Sequence, residues 1–463
     1  MNSSFTIYFD HVPISVIDLL WSLLFIIFIL ILSSSKKNKM IAIEGNGHYK
    51  YYMYNVYFKL FFSLIFVVIY LSMYGGGDTT AYYNGAANLN NLFWASPVDY
   101  WNEMLMTPGK GLAILHFNSY TGYPPGWIYG DPNSFFVSKI ISVFMLFLGQ
   151  SYLILSLFIG WLMAKASWRI YELVLYYKIT SEWLGALSVL FIPSVAFWCS
   201  GISKDTVILL AVFNILYHTF GIANNTRVNF LWSIIMTFFS FFILLHTRSF
   251  MVVTVAGPLF IAFSTRIVKK YQESPFIANL MKLFILSISI FSFIFVLKFQ
   301  GEEITQMTGK YIAEAQVQQN DFKNNSIYGS KKYDLGITDF SPIGMIKTAP
   351  LAILTAFYRP GIWEARSPLL LISGIETIVF IFLTLTFFFR GKVTEKIKII
   401  QNNELLMFSL VFALILGFFA GFTSILFGVL VRIKAPLLPF LLMVLTVKNK
   451  PKKTDLKTLS ENR

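Results

Sequence analysis

Apolar runs recur along almost the whole of this 463-residue chain. They lie near residues 15 to 34, 56 to 74, 150 to 166, 183 to 199, 206 to 221, 228 to 246, 249 to 264, 279 to 298, 367 to 389, 403 to 421 and 424 to 446. A helix needs roughly 20 apolar residues to cross about 30 Å of hydrocarbon. Hydrocarbon offers no water to unpaired backbone groups, so runs of this length have to be helical there. The pattern predicts an all-α, polytopic integral membrane protein with about 11 transmembrane helices. Residues 135 to 149, "FFVSKIISVFMLFLG", are short for a span and carry Lys139, which leaves open whether they cross. Only 13% of the residues are charged, against about a quarter in a soluble domain, and this excludes an ordinary water-soluble fold.

Lysine and arginine set the expected orientation. "KKNK" at 36 to 39, Arg169 with Lys178, Arg227, "RIVKK" at 266 to 270, "RGKVTEKIK" at 390 to 398 and "KNKPKK" in the tail all fall on one side of this span list. That side is expected to be cytoplasmic, with the N-terminus outside and the C-terminus inside. The net charge of +14 then reports topology and calls for no nucleic-acid partner; a basic tail, 447 to 463, faces anionic membrane lipid. Asp10, His11 and Asp18 stand where a cleavable signal peptide would have a basic n-region. A single cysteine, Cys199, and five scattered histidines give no disulfide framework, no metal site and no expected cofactor.

Two large outer loops follow from this topology, 75 to 134 and 299 to 366, within one membrane domain. The first opens with "YGGGDTTAYYNGA", and two readings of Asp78 stand side by side. In one, Gly75 to Gly77 make a flexible turn and Asp78 caps a helix with help from Thr79 and Thr80. In the other, the glycines let the backbone approach a bulky ligand, and Asp78 accepts a proton from a sugar hydroxyl at the membrane boundary. Asp99, Glu103 and Asp131 are the other acids of this loop considered as a second carboxylate. Trp94, Trp101, Tyr120, Tyr123, Trp127 and Tyr129 offer rings on which a sugar can stack.

Cations at span ends supply the complementary charge. Arg248, Arg432 and Lys434 are placed to meet a lipid phosphate at headgroup depth, arginine through its bidentate fork, or simply to anchor helix ends by snorkelling. Glu376, inside "LLLISGIETIVFIFL", requires a cavity or a partner, with Arg366 or Arg359 as candidates. The stretch "FYRPGIWEARSP" sets Arg359, Glu364 and Arg366 beside Trp363 just ahead of a span. Lys204 and Asp205 close "CSGISKD" at another outer turn.

An acid in the first large outer loop, "PSVAFWCSGISKDT", the arginine of "HTRSF" and a last span starting "VRIKAPLLPF" together resemble the multi-pass GT-C-type glycosyltransferases. The resemblance implies a bacterial inner-membrane enzyme of surface-polysaccharide assembly. It would take a sugar or oligosaccharide from a polyprenyl-phosphate-linked donor to a glycan or lipid-linked acceptor on the outer face. It implies Asp78 as the catalytic acid residue and Arg248 and Arg432 as donor phosphate-binding residues, to which the position of Lys434 at the start of the last span adds a third. Lys204, Asp205, Arg359, Glu364, Arg366 and Glu376 then hold the acceptor or brace the site. The sequence shows one acid where many members show a pair. It also resembles polysaccharide polymerases of the O-antigen and EpsG kinds, in which outer arginines grip two lipid pyrophosphates. A lipid-linked glycan transporter is the third reading, and predicts polar residues at the midplane of broken helices.

Overall fold

In the computed structural model, residues 6–9, 12–45, 47–106, 116–224, 228–270, 333, 335 and 342–447 are described. Eight of their helices are long and apolar enough to cross a membrane. These are α1 (Val16–Glu44), α2 (Lys50–Ser72), the later helices Tyr152–Tyr176, Lys204–Ala223, Phe230–Thr247, Pro368–Phe389 and Glu404–Thr423, and the composite span Phe427–Leu445. The fold is all-α among the described residues apart from one antiparallel hairpin, Thr6–Phe9 with Val12–Ser15, that leads into α1. Ser15 caps α1 through a reciprocal box with Asp18, whose carboxylate accepts from the Ser15 amide at 3.0 Å.

One of the expected runs takes another form, another carries an internal proline, and the segment left open is a helix. The run 183 to 199 is two short helices, Glu182–Val189 and Pro193–Trp198. Proline has no N–H to donate and pushes the residue before it out of the helical region, and Ile192 accordingly sits at φ −80° and ψ 117°. The run 249 to 264 lies in the 21-residue helix Phe250–Lys270, which carries Pro258 inside it. The run 135 to 149 is the 17-residue helix Pro132–Leu148. Its Lys139 is buried because the ammonium donates to the Met104 and Met106 carbonyls, at 3.2 and 2.6 Å. The expected span 279 to 298, most of the loop 299 to 366 and nearly all of the tail 447 to 463 lie outside the described residues.

The chain divides into two compact units, Met1–Leu173 with Val189–Val253, and Val174–Ser188 with Thr254–Arg463. In the first, the segment 75 to 134 is largely helical: α3 (Asp78–Ala95), α4 (Pro97–Leu105) and α5 (Gly126–Tyr129) precede α6 (Pro132–Leu148). Helix α3 packs on α6 at Gly85, where an added Cβ would stand 2.6 Å from the Ser138 hydroxyl. Polar side chains tie the long helices where hydrophobicity gives no preference for protein over lipid. Between α2 and α7 (Tyr152–Tyr176), Asn55 donates to the Ala164 carbonyl at 2.8 Å and Ser63 to the Ser156 carbonyl at 2.7 Å. Helix α8 (Glu182–Val189) belongs to the second unit except for its last residue, and α9 (Pro193–Trp198) packs on α2 in the first. Between α10 (Lys204–Ala223) and α11 (Phe230–Thr247), Asn214 donates to Ser240 at 2.8 Å and His218 meets Ser233 at 2.9 Å.

In the second unit, α12 (Phe250–Lys270, from Thr254 on) precedes α13 (Pro342–Tyr358), α14 (Pro368–Phe389), α15 (Val393–Gln401) and α16 (Glu404–Thr423). Helices α13 and α16 meet at glycines: a Cβ on Gly421 would stand 2.0 Å from the Ala352 carbonyl oxygen. The span Phe427–Leu445 consists of α17 (Phe427–Lys434), a 3-10 turn at Ala435–Leu437 and α18 (Leu438–Leu445).

Candidate functional site

Three consecutive glycines join α2 to α3, and all three have positive φ: 63° at Gly75, 102° at Gly76 and 71° at Gly77. Residues with a Cβ adopt this region only at a steric cost, so the turn requires glycine. The Gly76 amide donates to the Tyr70 carbonyl at 2.8 Å and closes the end of α2. Gly77 occupies the cap position of α3, and Asp78 is its first helical residue. The reading of Asp78 as the cap, aided by the threonines, is therefore corrected. Thr79 and Thr80 are buried; Thr79 shares a 2.8 Å hydrogen bond with the Tyr152 hydroxyl, and Thr80 donates to the Gly77 carbonyl at 3.0 Å. Asp78 itself is half-buried, at the positive end of its helix.

Two ion pairs share this neighbourhood. Lys204, the first residue of α10, donates to Asp131 at 3.2 Å. Its ammonium also feels the opposite charge of Asp78 and the like charge of Arg248. Arg248, the residue closing α11, stands with Nη1 3.0 Å from the carboxylate of Asp205, which is fully buried. Asp131, Lys204, Asp205 and Arg248 thus form one group of paired charges, built from the starts of α6 and α10 and the end of α11, and the charge of Asp78, at the start of α3, acts on its Lys204. Of the three acids considered as partners for Asp78, Asp131 is the one that belongs to this group. Burial works to raise the Asp131 pKa, but the Lys204 charge, the Ser134 hydroxyl and the Asn133 amide outweigh it and hold the carboxyl below its ordinary value. Asp131 was legible as a helix start, "DPNS" being a cap residue followed by proline at the first helical position. Its charge partner was not.

Glu103 has a different task. Fully buried in α4, its carboxylate meets His116 Nδ1 at 2.7 Å and accepts from the Tyr129 hydroxyl at 3.3 Å. Burial, and then Glu103, push the Tyr129 phenol up to about 12. Asp99 lies in the first turn of α4, where its amide is capped by Ser96. Among the aromatic candidates Trp94, Trp101, Tyr120, Tyr123 and Trp127 are exposed, whereas Tyr129 is core.

The remaining candidates belong to the second unit. Arg359 donates to Glu364 through Nε at 3.0 Å and through Nη2, and its guanidinium lies 4.9 Å from the Tyr333 ring and 5.1 Å from the Phe427 ring. Glu364 also accepts from the Gly361 amide at 2.8 Å. Burial opposes it, yet the Arg359 and Gly361 hydrogen bonds and the Arg359 charge keep the Glu364 carboxyl below its usual range. Lys434 is buried and donates to the Arg359 carbonyl at 2.6 Å, so it braces the turn that carries Arg359. The charge of Glu376 acts on Lys434, a pairing not among those expected for it. Arg432 is half-buried on α17, and Arg366 precedes Ser367, the cap of α14. Tyr333, missed in the sequence, gave no signal beyond being aromatic. Among the described residues no group of three or more histidine, cysteine or acidic side chains is placed to hold a metal ion. No protein-family model, curated protein or solved structure matches the chain.

Proposed function

We propose that this chain is a multi-pass membrane glycosyltransferase that moves a sugar or oligosaccharide from a polyprenyl-phosphate-linked donor to a glycan or lipid-linked acceptor. The observation that carries this reading is Asp78, held at the first turn of α3 by a glycine-only turn and acting with its charge on Lys204. A carboxylate so placed can take the proton of an acceptor hydroxyl as its oxygen bonds to the anomeric carbon of the donor. The bond from that carbon to the phosphate oxygen breaks, and the departing phosphate gathers negative charge. Lys204 and Arg248 oppose that charge, and their ion pairs with Asp131 and Asp205 hold the two cations in place. About eleven spans, an outer N-terminus, a cytoplasmic C-terminus and residence in a bacterial inner membrane complete the proposal, on the one-sided lysine and arginine pattern.

A second reading, a polysaccharide polymerase, draws support from the arginine-based group of the second unit, where Arg359 is fixed between two rings and a carboxylate. Asp78→Asn separates the two. Asparagine preserves size and removes the proton acceptor, and loss of a general base costs about 10²- to 10⁴-fold in rate. Glycan product on the lipid carrier, normalised to protein in the membrane, is expected to fall by that factor. Undiminished product would remove Asp78 from the chemistry and leave the polymerase reading.

A further inference from the structure

Within the first unit a cavity of about 380 Å³ opens among α6, α7, α10 and α11. Its walls are mostly apolar, including Phe144, Leu162, Leu210 and Phe239. The polar groups on the walls are largely spent on protein. Asn214 and Ser240 bond each other at 2.8 Å, Ser203 and Thr206 do so at 2.9 Å, and Thr206 also reaches the Gly201 carbonyl at 2.7 Å. The lining side chains that carry charge are Lys165 and Arg169, both on α7. Lys165 lies over the Trp161 ring at 3.2 Å and Arg169 over the Tyr217 ring at 4.6 Å. Lys36 of α1 is a third cation whose charge reaches Lys165, while Glu172 is the carboxylate acting on Lys36. Glu172 is in turn tied to the Trp168 indole at 2.6 Å. Two cations thus stand on the wall of an apolar space, and Lys36, itself balanced in part by Glu172, adds its charge to theirs.

From this arrangement we infer a binding site for a membrane phospholipid with an anionic headgroup, its phosphate among Lys36, Lys165 and Arg169 and one hydrocarbon chain in the cavity. The volume is more than twice the roughly 150 Å³ that takes up a benzene ring, enough for about a dozen carbon atoms. Charge complementarity selects an anion, since like charges this close are stabilised by a counter-ion in a medium of low dielectric. The apolar walls select a chain-bearing anion over a free one. Tyr152 of α7 touches Thr79 beside Asp78, and Arg169 lies about 25 Å further along the same helix at 1.5 Å per residue. The cations that would hold the headgroup are therefore distant from that contact, although the other end of the cavity reaches Ser203 and Thr206 beside Lys204 and Asp205; the proposal does not rest on the glycosyl-transfer reading.

The test uses the full chain purified in mild detergent, incubated with phosphatidylglycerol and phosphatidylcholine of identical acyl chains and examined by native mass spectrometry. One phosphatidylglycerol is expected to be retained, at least tenfold over phosphatidylcholine, and the preference is expected to shrink as salt rises. Lys165→Gln with Arg169→Gln is expected to abolish the preference, and Ala166→Phe, which fills the cavity, to abolish retention of both lipids. Equal retention of the two lipids by the unaltered protein overturns the proposal, and that comparison stands even where a variant fails to fold. Displacement of the lipid by millimolar inorganic phosphate overturns it too, by marking a site for a free anion, as does undiminished retention in a folded Ala166→Phe protein.

Discussion

Removing the Arg248 side chain tests whether this cation is a structural partner as well as a ligand-binding group. Asp205 is fully buried and Arg248 is 21% exposed, with 3.0 Å between their charged atoms. Arg248→Ala removes the guanidinium that pairs with the buried Asp205 carboxylate, a loss that costs about 3–5 kcal/mol for buried pairs. An independent bound agrees. The carboxylate can shed its charge by taking a proton, and at pH 7 an acid of ordinary pKa about 3.9 does so across about three pH units at about 1.4 kcal/mol each, about 4 kcal/mol in all. Asp205→Leu combined with Arg248→Met removes both charges and keeps the volume filled, so it is expected to lie within about 1 kcal/mol of the unaltered protein or above it. The assay is equilibrium unfolding in detergent of the unaltered protein, Asp205→Leu, Arg248→Met and the double variant, read as a double-mutant cycle, with Arg248→Ala measured alongside. Glycan product is expected to be lost in Arg248→Ala and in the double variant alike, since neither presents the guanidinium. An Arg248→Ala protein within 1 kcal/mol of the unaltered chain would refute the pairing and leave Arg248 an exposed anchor, for which such small values are the rule.

Gly421→Ala forces a methyl group against the Ala352 carbonyl, 2.0 Å away, and no flexible side chain is there to yield. Separating α13 from α16 is expected to cost about 1–3 kcal/mol or more, whereas Gly428→Ala, with nothing within 4 Å of the added carbon, should be neutral or slightly stabilising in thermal melting. Acid stability tests the Lys204–Asp131 contact. The folded-state Asp131 pKa lies below its ordinary value, so its contribution is present above the unfolded pKa of about 3.9 and is lost as pH falls through the folded one. Asp131→Asn is expected to flatten that part of the stability-versus-pH curve and to leave neutral pH little changed, the carboxylate being 44% exposed.

Length and composition alone made the spans readable. Eight of the apolar runs are long helices because about 20 apolar residues in hydrocarbon have no other way to satisfy their backbone. The run at 183 to 199 misled, since its apolar content hid what Pro193 does to the residue before it. Lys139 looked like an obstacle to burial, and the carbonyls that accept its protons belong to backbone, which no side-chain pattern reveals. The same limit applied at the site. The glycine triplet and Asp78 stand out in the chain, and the positive φ values give them their physical meaning. Which carboxylate meets which cation depends on packing between distant helices: Asp205 with Arg248 and Asp131 with Lys204. Lys434, expected at a phosphate, is occupied by the Arg359 carbonyl, a contact set by a turn that composition does not describe.

Helix α9 bears on how such a chain enters a membrane at all. Its six residues span only about 9 Å at 1.5 Å per residue, far too little to partition into lipid as a segment of its own. Yet Ser194 to Trp198 are all buried, the Phe197 ring lies tilted against Phe66 of α2 at 5.5 Å, and the Gly201 backbone lies so close to Phe66 that a Cβ there would approach it to 2.2 Å. Insertion of this stretch must therefore wait for α2, made much earlier on the ribosome, to be standing in the bilayer as its docking wall. Biogenesis of the first unit is in this respect an assembly step, in which an already inserted helix shelters the backbone of a newcomer that the translocon has no hydrophobic reason to release.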